Sequence, residues 1–457
     1  MADILSGLIT RSRRIKPGQV LVIGFFLVIL TGAILLTLPF ATTASGRLDF
    51  LDALFTATSA VCVTGLVVAN TGTAFTLFGQ IVIILLIQVG GLGFMTMASL
   101  IFIMVGKRIS LRERLVIQEA YNLDSIQGVV RLVRNAVIVT FTAEAAGAVV
   151  LSFRMIPEFG VAKGIYHSAF LSVSAFCNAG FDALGQFSSL RNYVADPVVN
   201  ITIMCLITVG GLGFPVFVDI IRKRRFNRLA LHSRIVLLVS GALFVSGALL
   251  TAVLEWNNPG TLGGLSTPSK ILASCFQSVT CRTAGFETIP QNNLTPAGLL
   301  VSVIHMFIGA SPASTGGGIK TSTFFIVMLA LLCTIKGKQD NNIFHRRISS
   351  HAVRKAFTIA ALALCLVLVD TLVICAVETM TGGPETLGQI LFEVTSAFGT
   401  VGLSTGITGG LFWVSKLLII LTMFAGRLGP LTLSMAISGA TLKQDTLHYP
   451  EERMIIG

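Results

Sequence analysis

The chain has 457 residues, 53% of them hydrophobic and only 12% charged, with a formal net charge of +12. Soluble domains carry about 25% charged residues, so this composition argues for an integral membrane protein and against a soluble enzyme. The 33 Lys and Arg form no separate basic domain, which argues against nucleic-acid binding, and the eight cysteines contain no C-x-x-C pair, so neither a zinc site nor a redox pair is indicated.

In chain order, residues 1–16 form a short basic tail. Residues 20–38 are uncharged, long enough to span a bilayer. They are too long for the apolar region of a signal peptide, and no small-residue cleavage site follows. They are read as the first helix of a first unit. A re-entrant loop is expected at 50–68, because FTATSAVCVTGL (55–66) is too short and too rich in Thr, Ser and Gly to span a membrane. A second helix is expected at about 75–105, containing QVGGLGF (88–94). Unit two places its first helix at 134–156, its loop at 165–182 and its second helix at 196–221, where VGGLGF recurs at 209–214. Unit three has a helix at 234–255, a loop at 270–287 and a second helix from about 296. Unit four has a helix at 355–378, a loop at 386–404 and a second helix at 412–441. A polar and then apolar tail, 442–457, ends the chain. The unit boundaries follow as 17–106, 107–222 with its preceding cytoplasmic loop, 223–336 and 337–441. The reading is all-α: four parallel helix–loop–helix units around one axis, with eight spans and four half-spans.

The four loops align on Gly65, Gly180, Gly285 and Gly402. Ten residues earlier stand Phe55, Phe170, Cys275 and Phe392, and six earlier Ser59, Ser174, Val279 and Ser396. A cation crossing a bilayer must exchange its water for other oxygens, and rings of backbone carbonyls serve well. Turning successive carbonyls inward requires alternating ordinary and left-handed dihedrals, which glycine adopts without steric cost. The candidate ion-binding triplets are Val63-Thr64-Gly65, Asn178-Ala179-Gly180, Thr283-Ala284-Gly285 and Thr400-Val401-Gly402, whose carbonyls would hold the cation. Asp182 and Glu287, two residues past their glycines, stand where they would concentrate cations at the outer mouth.

Basic residues alternate along the chain. Four precede the first span, and six lie in each of 107–134, 222–234 and 336–355, whereas seven are shared among the intervening loops. By the positive-inside rule the termini and the three basic loops are cytoplasmic and the four pore loops face outward. Within the apolar segments stand Glu144, Lys320, Asp370 and Arg427. Ionisable residues at that depth are functional candidates; for Glu144 and Asp370 a packing role is the stronger reading. In unit three the second helix is interrupted by GASPASTGGGIKTS (309–322), which cannot continue a helix cheaply. It does not match a phosphate-binding loop, since Ile319 precedes Lys320. It reads as a flexible plug, with Gly316, Gly317, Gly318, Lys320 and Arg427 as gate residues.

These features together resemble the Trk/Ktr/HKT superfamily of cation transporters, and most nearly its Ktr-type membrane subunits. The resemblance rests on four helix–pore–helix units, one glycine per loop, VGGLGF in second helices and AGRLGPLTL at 425–433. It implies potassium uptake across the bacterial plasma membrane and a homodimer with one pore per protomer. It further implies a separate cytoplasmic ring that binds ATP or ADP, no organic cofactor on this chain, an intramembrane gate at 309–322, and an arginine, here Arg427, beneath the filter. In this superfamily a serine for the first filter glycine goes with sodium preference, so four glycines imply potassium. Two other readings were weighed. An alternating-access cation symporter is disfavoured because the repeats are parallel and fourfold. An intramembrane enzyme is disfavoured because His167 and His305 lack matched partners.

Overall fold

The computed structural model describes residues 17–43, 48–93, 96–97, 111–120, 129–185, 189–338 and 340–438. The tails 1–16 and 442–457, Phe94 of the first VGGLGF, the end of the expected first-unit second helix and much of the basic loop 107–134 lie outside the described residues.

Each unit begins with a long apolar helix, here called its outer helix: Pro17–Leu36, Val129–Phe159, Leu231–Glu255 and Ser350–Thr381. At about 1.5 Å per residue each reaches roughly 30 Å or more, the thickness of the hydrocarbon core. Large apolar side chains such as Phe153, Val253 and Leu372 stand exposed on them, as a lipid-facing surface requires. A short pore helix follows: Phe50–Cys62, Val161–Cys177, Thr267–Thr280 and Leu387–Gly399. Their C-terminal halves are buried. Phe55, Phe170 and Phe392 are fully enclosed, but in unit three Phe276 takes that place while Cys275 is only half-buried. In unit three the enclosed phenylalanine thus stands nine rather than ten residues before its glycine, one position away from the aligned Cys275.

The inner helices are Leu77–Leu92, Pro197–Leu212, Pro296–Phe307 and Trp413–Leu428. Thr76, Asp196 and Thr295 cap the first three by accepting hydrogen bonds from free N–H groups of the first turn. Apolar patterning calls for continuous second helices over 75–105, 196–221 and 412–441. The structure breaks each at one glycine: Gly93, Gly213 and Gly429, with φ of 80°, 91° and 87°. Beyond the break, Phe214–Lys223 and the helix starting at Pro430 turn by 98° from their predecessors. The unit-three helix is also broken, as expected, and resumes at Thr321–Ile335.

Packing closes into a circle. The inner helix of unit one rests on the pore helix of unit two, that of two on three, that of three on four, and that of four back on one. Within units one, two and four the inner helix also lies close on its own pore helix, because it carries glycine at the crossing. A Cβ on Gly90, Gly210 or Gly426 would lie 2.0 Å from the carbonyl oxygen of Val61, Phe176 or Phe398. Lys416 pairs with Asp52 at 2.9 Å, tying unit four to unit one. The described residues depart from all-α architecture at one two-stranded hairpin, Asn342–Ile343 with Arg346–Arg347, turned by Phe344 and His345 in left-handed conformation.

Candidate functional site

The four loop triplets meet on one axis. Val63, Asn178, Thr283 and Thr400 are all left-handed, with φ between 50° and 68°, and the glycines two residues later have φ between 68° and 97°. The residue between them keeps an ordinary dihedral, so the backbone alternates as the sequence led us to expect. The glycines face one another. A Cβ on Gly65 would meet the Ala179 carbonyl at 2.5 Å; on Gly180, that of Ala284 at 2.8 Å; on Gly285, that of Val401 at 2.4 Å; and on Gly402, that of Thr64 at 2.1 Å. The order one, two, three, four, one is that of the helix packing. Any side chain at these positions would intrude on the neighbouring carbonyl.

In units one and four the serine six residues before the glycine has a structural role, whereas among the described residues the buried Ser174 Oγ of unit two makes no hydrogen bond. Gly65 N–H donates to Ser59 Oγ at 3.0 Å and Gly402 N–H to Ser396 Oγ at 3.1 Å. These bonds draw the glycine N–H groups back toward the pore helices and leave carbonyls for the axis. Unit three has Val279 there, and the hydroxyl of Thr280 instead donates to the Phe286 carbonyl at 2.6 Å. Asn178 and Thr283 contact each other at 3.1 Å between neighbouring units.

Beneath the ring lies the interruption of unit three, bonded directly to units two and four and linked to unit one through Arg427. Ser311 N–H donates to the Gly211 carbonyl, Thr315 N–H to that of Gly210, and Thr315 Oγ1 to that of Phe176. Gly317 N–H donates to Thr400 Oγ1 at 2.9 Å, and Gly318 N–H to the Gly426 carbonyl at 3.3 Å. A Cβ on Gly316 would strike Thr283 Oγ1, so the segment sits against the underside of the triplets. Lys320 Nζ donates back to the Gly316 carbonyl at 2.7 Å. Arg427 donates to the carbonyls of Thr315, Gly90 and Gly91, joining the interruption to unit one. Asp370 accepts from the Thr422 hydroxyl. Glu144 is buried, accepting from Gln88 at 3.4 Å.

A cavity lies on each side. The inner one, about 180 Å³, is lined by Gly316, Gly318, Lys320 and Arg427. The outer one, about 330 Å³, is lined by all four filter glycines together with Asp182, Arg191 and Glu287. Glu287 forms an ion pair with Arg191 at 2.7 Å. Asp182 accepts from Leu184 N–H at 3.0 Å. Burial raises both carboxyls above the usual range, with Arg191 opposing the shift at Glu287.

Long lipid-exposed helices enclosing four re-entrant segments define an all-α, multi-pass membrane protein. Residues 12–447 match the family described as TrkH, cation transport protein, and the chain belongs to that family. It is 43% identical to Ktr system potassium uptake protein B of Bacillus subtilis over 97% of each chain. It is 41% identical to potassium/sodium uptake protein NtpJ of Enterococcus hirae, over 97% of this chain and 98% of that one. Among solved structures, the potassium transporter TrkH from Vibrio parahaemolyticus superposes with a TM-score of 0.68 over 90% of this chain and 84% of its own, at 17% identity, a likeness of fold.

Proposed function

We propose that this chain takes up potassium through a filter-type pore whose ion-binding oxygens are the backbone carbonyls of Val63-Thr64-Gly65, Asn178-Ala179-Gly180, Thr283-Ala284-Gly285 and Thr400-Val401-Gly402. The observation that carries this reading is the closed ring of four glycines, each against the next unit's carbonyl. Support comes from relatives whose names specify uptake of potassium, or of potassium and sodium. The units are 17–106, 107–222, 223–336 and 337–441, in a plasma membrane with pore loops outward and both termini cytoplasmic. Flux of purified protein in liposomes, with potassium and sodium compared, tests the reading. Saturation at carrier-like rates strictly coupled to a second ion would favour a symporter instead.

In this reading the segment 309–322 is the gate, with Gly316 to Gly318, Lys320 and Arg427 as its working parts. Arg427 both fastens the gate and opposes a passing cation in a medium of low dielectric, where Coulomb terms are large. Arg427→Ala is expected to raise maximal velocity several-fold. Lost expression that is rescued by exchanging charges between positions 427 and 370 would assign Arg427 to folding.

The reading extends to a homodimer, each protomer with its own pore, controlled by a separate cytoplasmic ring that binds ATP or ADP. Thr321–Ile335 is a straight rod of roughly 20 Å from the gate to the hairpin 342–347. At the hairpin tip the exposed Phe344 lies under the Arg234 guanidinium, 5.8 Å from ring centre. Mutating Phe344 or Arg346 is expected to weaken association with the ring. Co-purification unaffected by charge reversal across 336–347 would place the contact elsewhere.

A further inference from the structure

We propose that the outer vestibule collects cations with one carboxylate, Asp182, and that Glu287 serves there to neutralise Arg191 rather than to attract ions. The inference rests on reading the four loops as an ion path.

The first observation is placement. Asp182, Arg191 and Glu287 all line the cavity that the four glycines floor. Two residues past their respective glycines, Asp182 and Glu287 are equivalent in the repeat, yet their surroundings differ. Glu287 is met by an arginine from another unit; among the described residues Asp182 forms no ion pair. The second observation is that the Arg191 segment is built onto Glu287. Leu190 N–H donates to the Glu287 carbonyl at 2.9 Å, Glu287 N–H to Ser189 Oγ at 3.1 Å, and Arg191 Nη2 to Glu287 Oε1 at 2.7 Å. Three bonds thus hold an arginine at the pore mouth, where an unopposed cation would repel the transported one. Glu287 Oε1 also accepts from Gln291 N–H at 2.8 Å, so its carboxylate is fixed toward Arg191.

Removing either partner of the pair therefore has opposite consequences. Arg191→Gln frees a carboxylate at the mouth, and Glu287→Gln frees a guanidinium. One unit of charge across a partly screened vestibule is worth about a threefold change in apparent affinity. In potassium-uptake-deficient cells, with inserted protein quantified, we expect Arg191→Gln to lower the apparent KM for potassium about threefold. Glu287→Gln and Asp182→Asn should raise it by about the same factor, the double variant R191Q/E287Q should lie near the parent, and the differences should shrink when external ionic strength is raised with an impermeant salt. R191C provides a second route: a positively charged thiol reagent should raise its KM and a negatively charged one lower it, with the parent as control for other cysteines. If R191Q and E287Q shift KM in the same direction, and the two reagents act alike on R191C, the pair is only a strap for residues 189–193 and the proposal is overturned. Failure of the pore reading itself would look different: Gly65→Ser in the same cells would then leave relative potassium and sodium uptake unchanged.

Discussion

Deleting Pro312 to Gly318 is expected to raise potassium flux by about tenfold or more while leaving insertion intact. The deletion removes the hydrogen bonds from Thr315, Gly317 and Gly318 to Gly210, Phe176, Thr400 and Gly426, and the carbonyls that Lys320 and Arg427 hold. Net contributions of about 0.5–1.5 kcal/mol each put the opened segment several kcal/mol above the closed one, and each 1.4 kcal/mol is about a factor of ten in occupancy. The ends are already joined: Ile308 and Ile319 form a bridge, and Thr321 N–H donates to the Ala310 carbonyl at 3.3 Å. Initial uptake rates normalised to inserted protein measure the effect. A well-expressed deletion no faster than the parent would show that the segment does not limit flux.

Gly65→Ser is expected to weaken potassium uptake and relax discrimination against sodium. At φ +97° a side chain is strained, at a cost of about 1–3 kcal/mol. The new Cβ would also stand 2.5 Å from the Ala179 carbonyl oxygen. That oxygen must move, and with it one of four ligands that a dehydrated potassium ion would share. The unit-one loop is held by the Gly65 N–H to Ser59 bond, so the adjustment falls on the axis rather than behind it. Paired uptake measurements with potassium and with sodium read the ratio directly; an unchanged ratio would sink the assignment of Gly65 to the filter.

Much of this architecture was legible because membrane physics writes it plainly. Uncharged runs long enough to span gave the outer helices, and one recurring glycine gave the loops. The breaks at Gly93, Gly213 and Gly429 were less visible, since an apolar run looks the same whether straight or bent by 98°. The repeated G-[GR]-L-G preceding each bend was in view, but nothing in hydropathy distinguishes a helix-terminating glycine from a packing one. A fixed spacing from the glycine puts Cys275 in line with three phenylalanines, whereas the enclosed aromatic of unit three is its neighbour Phe276. In the sequence Arg191 is only one of the seven basic residues of the intervening loops. It lies 96 residues from Glu287, and only the folded chain brings a second-unit loop over a third-unit mouth.

The two cavities differ in sign. Lys320 and Arg427 line the one beneath the ring, and Asp182 lines the one above it, where the remaining pair cancels. An ion arriving from outside descends toward its repulsion late, after the binding oxygens have taken it. An ion starting from the cytoplasm meets that repulsion before it has gained anything. Under equal and opposite voltages the inward current should exceed the outward one. On the function proposed above, this arrangement of fixed charge makes the molecule a rectifier.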